Sequence, residues 1–316
     1  MSRIVKSTQT ICLVLLTSMP ITGLFASPDD DVVDLDKMSV DEIAKELSNP
    51  VSSLRSIGNE FEYHTFQGDL PEAGDQTGMT YRFEPSYPFQ LSNGKNILVR
   101  ASIPLNLSEP EWRVDVDHPI FEVFRDYTEF LLRQSPQVTP DSGHFRSVHS
   151  HLSDITYDVA YGGVSDSGFI SMYGIAGALP TSQNVSGARE QTTLGPQVAL
   201  GKSADWGVFG AWVKHLVNIA GDESFDTNET TIDLFFAYGL GNGWQIISNP
   251  SILYDWEADS GNELLLPLGG GVSKTTRFGR VPVKMELEAY YNVVSTDRFG
   301  QEFILSFNIK PVFKGW

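Results

Sequence analysis

From Ile57 to Phe313 apolar and polar residues alternate with a period of two, the pattern of strands that carry one apolar and one polar face. Phe61, Tyr63 and Thr65 alternate with Glu60, Glu62 and His64. Near the C-terminus Val283, Met285, Leu287, Ala289, Tyr291 and Val293 point one way; Lys284, Glu286, Glu288, Tyr290 and Asn292 point the other. After strands around Phe61, Tyr81 and Val99, the pattern predicts strands over 155–161, 169–180, 193–201, 206–219, 231–238, 244–256, 263–272, 282–294 and 302–313, twelve in all. The stretch 251–274 shows the unit: a strand through Ile252, Tyr254 and Trp256, a polar tip at 258–262, and a return through Leu264, Leu266 and Leu268. Pro267 and the run Gly269-Gly270-Gly271 exclude a helix there.

The connections alternate in length. Short turns at 92–95, 164–168, 202–205, 239–243 and 278–280 take turns with longer polar loops, of which 107–150 is the longest. This is the arrangement of bacterial membrane barrels, with short turns on the periplasmic side and long loops outside. Aromatic residues near strand ends, among them Tyr81, Tyr87, Phe89, Trp206, Trp244, Tyr254, Trp256, Tyr291 and Trp316, fit interfacial girdles. The expected fold is all-β: a transmembrane, up-and-down antiparallel β-barrel of about 12 strands with a short N-terminal helix. In such a barrel lipid covers the apolar face and the charged face lines the lumen.

Before the barrel, 39–47 (SVDEIAKEL) reads as a short amphipathic helix with Ser39 as N-cap and Glu42 in the capping-box position. Asn49-Pro50 stops it. The helix is too short to stand alone and must dock on something larger, as a plug in the barrel or outside it. Residues 1–26 read as a secretory signal peptide: Arg3 and Lys6, then an apolar stretch, then Ala26 as the cleavage position. The expected organisation is therefore 1–26 signal peptide, 27–55 acidic segment with the helix, and 56–316 barrel with the insert 107–150, which itself contains a helix at 119–134. Cys12, the single cysteine, falls in the signal. An exported chain without disulfides fits the outer membrane of a Gram-negative bacterium.

Charge narrows the partners. Lys+Arg is 22 against Asp+Glu 40, a net charge of -18, which argues against nucleic acid. The hydrophobic fraction is 41% and the mean hydropathy -0.15, which excludes a multi-helix membrane protein and leaves a barrel open. The expected partners are outer-membrane lipid and a small-molecule solute; no cofactor is expected.

Several pieces of the chain resemble a known family. Asp255-Trp256-Glu257-Ala258-Asp259-Ser260-Gly261-Asn262, followed by Pro267-Leu268-Gly269-Gly270-Gly271 and Lys274, is similar to the signature of bacterial outer-membrane proteins labelled "transporter" and grouped near the meta-pathway of phenol degradation proteins (some carry the misleading label neuromedin U). Leu194-Gly195-Pro196 and 289–294 (AYYNVV) match as well. The resemblance implies an outer-membrane barrel and, by analogy, a hydrophobic or aromatic solute; it implies nothing about the insert 107–150.

The candidate lumen-lining residues are Glu60, Glu62, His64, Arg82, Glu84, Arg100, Asp158, Lys214, Asp233, Lys284, Glu286 and Glu288. They form either a polar pathway whose charges set solute preference or a ladder of ion pairs that fills a narrow barrel. At the tip, Asp255, Trp256, Glu257 and Asn262 are read as loop-fixing, with Glu257 and Asn262 in reach of Asp255. Gly269 and Gly271 are read as opening lumen space for the helix. His144, His149 and His151, near Asp141 and Asp154, are weak metal candidates, since their spacing matches no tetrahedral pattern. No catalytic residue is assigned. His215 appears on the apolar face of its strand, where a register shift that turns it inward is the expectation. Three functions follow in order: a barrel that passes or binds a small solute, a structural or surface-binding barrel with a filled lumen, and a lipid-acting enzyme. The expectation is that the chain is not an enzyme.

Overall fold

The computed structural model describes residues 34–114, 143–182, 190–222 and 224–313. The expected signal peptide, the helix at 119–134 and Trp316 lie outside these described residues.

The chain forms one closed antiparallel barrel of twelve staves. Eight of them are single long strands: β1 Arg55–Gln67, β2 Thr77–Gln90, β7 Phe169–Leu179, β8 Gln191–Ala204, β9 Gly207–Gly221, β10 Asn228–Gly241, β14 Val281–Val294 and β15 Gly300–Phe313. β13, Leu264–Phe278, is another. β3, Asn96–Val114, pairs with β2 as far as Ser108 and then leaves the barrel wall. Its far end pairs with β4, Gly143–Val148, from Glu109↔Val148 to Val114↔Gly143. The base of the insert is thus a β-arm rather than an irregular polar loop. Trp112 packs edge-on to Phe145, and Glu111 pairs with Arg113 at 2.9 Å. The chain re-enters the wall through β5, His151–Leu152, and β6, Ile155–Val164.

The ninth stave along the chain is broken. The expected strand 244–256 divides into β11, Trp244–Ser248, and β12, Ser251–Asp255. Pro250 has no N–H for the ladder, which is why a break falls there. β11 pairs with β13 up to Ile247↔Gly271, and β12 resumes at Leu253↔Leu265. Between them the ladder with β13 is interrupted. Asn249 compensates with two bonds to side chains of β14: its N–H donates to the Tyr290 hydroxyl at 2.6 Å, and its amide donates to Glu288 at 3.0 Å.

The outside of the barrel is apolar. Phe61, Val99, Val159, Leu200, Phe236, Ile246, Leu287 and Phe307 are all exposed. Exposed Tyr87, Phe89, Trp206 and Trp244 lie at the short-turn end, and Trp256 and Tyr291 near the long-loop end. Trp206 packs against Phe209, Phe236 and Tyr238. No helix among the described residues is long and apolar enough to cross a membrane; the crossing elements are strands.

The buried core therefore lies inside the barrel, at the short-turn end. α1, Val40–Leu47, carries the capping box read from the sequence: the Glu42 N–H donates to Ser39 Oγ at 3.1 Å, and the Ser39 N–H donates to Glu42 at 2.7 Å. Its apolar face, with Ile43 and Leu47, joins Leu35, Leu54 and Val312. Val51 joins a second cluster of inward residues, including Leu98, Met172, Val208, Phe235 and Ile247. An eight-residue helix that could not persist alone is thus held by burial.

Candidate functional site

Inward-facing side chains above this core enclose a cavity of about 1100 Å³. Its floor is the N-terminal segment Leu47, Ser48, Asn49, Pro50, Ser52 and Leu54. Alternation along β1, β2, β3, β6, β9, β10 and β14 sends every second residue into it. All twelve residues read from the sequence as lumen-lining stand on its wall.

Most of the wall charges are paired. Arg82 bridges Glu62 closely and Glu60 at 3.4 Å. Arg100 grips Asp158 through Nε and Nη2, the latter at 2.8 Å. Lys214 meets Asp233 at 2.7 Å. Lys284, 1% exposed, meets Glu286 at 2.8 Å, and Lys310 approaches Glu286 at 3.6 Å. His64 lies 3.6 Å from Glu62. Burying a charge is tolerated where it is paired, and these pairs decorate the wall without filling the space between.

Other wall residues were not singled out in the sequence. Lys310 and Asn308 follow the same alternation on β15 and were legible on its polar face. Trp212 was not, because an indole reads as an outward residue. It faces inward, donates to Gln197 at 2.8 Å, and has the Arg100 guanidinium 4.2 Å and the Lys214 ammonium 4.6 Å from its ring centre. Gln197 in turn donates to Asp158 at 3.2 Å, so four side chains from four strands form one network.

The floor is tied to the wall by hydrogen bonds. Arg100 donates to the Pro50 carbonyl at 2.9 Å, and Asn96 to the Val51 carbonyl at 3.1 Å. Lys284 donates to Ser48 Oγ at 2.7 Å. The turns close the mouth from below: the Gly243 N–H donates to Asp41, and Arg277 to the carbonyls of Leu35 and Met38. Within the segment, Glu46 accepts from the Ser53 N–H at 2.7 Å, and burial still pushes its carboxyl above the ordinary value. Glu42, exposed at the helix start, is shifted below the ordinary value by its bonds to Ser39.

At the opposite end, the tip of β12–β13 is fixed as a loop. Asp255 accepts from the Glu257 N–H at 3.0 Å. Asn262 does not reach Asp255; it accepts instead from the Asp297 N–H at 2.7 Å, which ties two loops together. Trp256 donates to Thr230 at 2.9 Å, and Glu257 accepts from Asn228 at 3.2 Å. Gly269 and Gly271 stand on β13, one of the strands that α1 packs against. A side chain on either would collide with the carbonyls of Ala289 and Leu287, so they serve the close approach of β14.

The three loop histidines do not converge. His149 meets the Leu107 carbonyl at 3.3 Å, and His151 turns to Glu109 at 3.0 Å. His144 sits on β4 opposite Arg113, and Asp141 lies outside the described residues. Among the described residues no group of three His, Cys, Asp or Glu could hold a metal ion. His215 stays on the outward face, contrary to the expected register shift. Its Nδ1 pairs with Thr230 Oγ1 at 2.9 Å on the neighbouring strand, and Trp256 binds the same oxygen. That pairing satisfies the imidazole where it stands.

No family profile matches the sequence, and no curated protein is similar to it. Among solved structures, an outer-membrane channel from Pseudomonas putida F1 superposes with a TM-score of 0.53 at 11% identity, over 82% of this chain and 96% of that one. The Pseudomonas putida toluene transporter TodX has a TM-score of 0.39 at 9% identity, over 86% and 93%. Outer-membrane phospholipase A from Escherichia coli has a TM-score of 0.38 at 10% identity, over 87% and 98%. The likeness to the channel concerns the fold, that of an outer-membrane barrel.

Proposed function

We propose that this chain is an outer-membrane barrel that admits a small solute with an apolar body into its lumen, with the N-terminal segment as a floor that controls onward passage. The observation that carries this reading is the cavity: about 1100 Å³, walled by paired charges and closed below by Leu47–Leu54. An open porin would have no floor, and a filled barrel would have no such space. The apolar outer band and the aromatic rims support a place in the outer membrane, with lipid around the wall and no role for nucleic acid. The resemblance of the Asp255–Asn262 tip to outer-membrane transporters points the same way. Apolar wall positions such as Leu216, Leu253, Leu265 and Ile304 suit a hydrophobic or aromatic body. The twelve residues act here as the polar wall of the pathway, and the tip residues hold the outer loops in place.

The onward exit opens below if the floor undocks; the interruption at Asn249-Pro250 is closed by the bonds of Asn249 to Tyr290 and Glu288 and of Ser248 to the Gly269 carbonyl. The test is liposome uptake by the full mature chain, compared with a variant lacking 27–50. Retention of a small apolar solute in the lumen, with faster release after truncation, is expected. No binding, uptake or conductance by either chain would refute the reading. The β3–β4 arm, with Trp112 and Phe145, favours a second role in surface contact; a surface-binding barrel would keep partner binding when the lumen is blocked. A lipid-acting enzyme would need hydrolysis that disappears in His215→Ala.

A further inference from the structure

We infer that the solute carries a positive charge: the lumen is built for an organic ammonium with an apolar body. This deepens the proposed function and rests on the cavity being its binding site. Among the described residues, ten Asp or Glu and five Lys or Arg side chains line the cavity. A low-dielectric wall focuses such an imbalance and raises the local concentration of cations.

Imbalance alone does not make a site, and two local features supply one. Glu84 accepts from Ser102 through Oε1 at 3.1 Å, and it has no ion-pair partner within 4 Å among the described residues. Its Oε2 faces the space above Gly58, 3.2 Å from where a Cβ would sit. Asn308, 7% exposed, points Oδ1 at the same space from the other side, 3.6 Å away, and that oxygen has no hydrogen-bond partner. A buried acceptor without a donor is costly unless something completes it. Gly58 is on the same inward face as Glu60; with no side chain there, two oxygen acceptors of the cavity wall stand over a gap narrower than a methyl group, where a Cβ would lie 3.2 Å from both Cβ and Oε2 of Glu84.

No neighbouring cation reaches Glu84 within ion-pair distance: Arg82 bridges Glu62 and Glu60, and Lys284 and Lys310 approach Glu286. The two acceptors therefore offer one carboxylate and one amide oxygen to a guest. An ammonium, with three donors and no acceptor, matches this set; a carboxylate guest is repelled, and an alcohol supplies one donor. A bare divalent ion is disfavoured, since no group of three metal-ligating side chains converges among the described residues. The apolar side chains Leu253, Leu265 and Ile304 on the same cavity take the body of the guest.

The test is calorimetric titration of the full mature chain, in detergent at low salt, with octylammonium, octanol and octanoate. Octylammonium is expected to bind at least tenfold more tightly than octanol, with octanoate weakest and the ammonium preference shrinking as salt rises. Glu84→Gln and Gly58→Ala should each abolish the preference, so that octylammonium and octanol bind alike, and Asn308→Asp should widen the gap. Heat-modifiable gel migration confirms that each variant is folded. Equal binding of octylammonium and octanol to the unaltered chain overturns the inference and leaves the cavity reading standing. Binding of none of the three overturns both. A preference that survives in folded Glu84→Gln and Gly58→Ala also overturns the assignment to these two acceptors.

Discussion

Arg100 on β3 donates through Nη1 to the carbonyl oxygen of Pro50, 2.9 Å away, while its other nitrogens hold Asp158. One side chain thus touches the cavity wall, the floor and the Trp212 ring at once. Hydrogen bonds from a charged group contribute about 2 kcal/mol, so Arg100→Gln is expected to raise the undocked fraction of the floor roughly 30-fold. Single-channel recording should show longer open events in this variant than in the unaltered chain. Unchanged gating would separate Arg100 from the floor.

Lys284 is a harsher case. It is enclosed by Glu286 and Ser48, and its removal leaves Glu286 with only the more distant Lys310. Breaking a buried pair from one side costs about 3–5 kcal/mol. Lys284→Met should lower the temperature at which the barrel loses its compact gel migration, and Lys284→Met with Glu286→Gln should recover much of that loss. If the double variant were worse than the single one, the pairing argument would fail.

Acidity should tighten the floor. Glu46 has its carboxyl raised above 4.5 by burial when docked, so docking takes up a proton. A raised carboxyl contributes docking stability that is present below the free value and is lost as pH rises through the docked value. Open probability should therefore climb as pH rises from the ordinary carboxylate value through the docked value. Glu46→Gln keeps the acceptor for the Ser53 N–H and should flatten this dependence. The exposed Glu42 cap works in the opposite direction, but only below the ordinary carboxylate value.

The glycine run gives a test of the wall itself. A Cβ on Gly271 would collide with the Leu287 carbonyl across the β13–β14 ladder. Gly271→Ala should cost more than the usual gain from replacing a strand glycine and weaken the barrel's heat resistance; Gly94→Ala, with open space around it but a positive φ of 73°, should cost only about 1 kcal/mol. Equal tolerance at both positions would remove the close-approach explanation.

Period and turn chemistry were enough to place twelve staves, their two faces and the helix with its Ser39–Glu42 box, because those depend on residues close in sequence. They also placed Glu60 through Glu288 on the cavity wall, since a two-residue repeat leaves only two faces to choose from. What period cannot hold is contact between distant strands. The break at Asn249-Pro250, closed by Tyr290, depends on a neighbour forty-one residues away. His215 stays outward because Thr230 on the next strand satisfies it. Gly269 and Gly271 answer to the carbonyls of β14 on the neighbouring strand.

The pair of acceptors over Gly58 is the plainest case. Gly58, Glu84 and Asn308 belong to three strands, and nothing in any one of them marks the others. Alternation along the pleat was enough to say which charged residues face the lumen, though not that Trp212 does. Only the closed barrel decided which of them meet, because register and strand order bring β1, β2 and β15 side by side although the last lies at the far end of the chain.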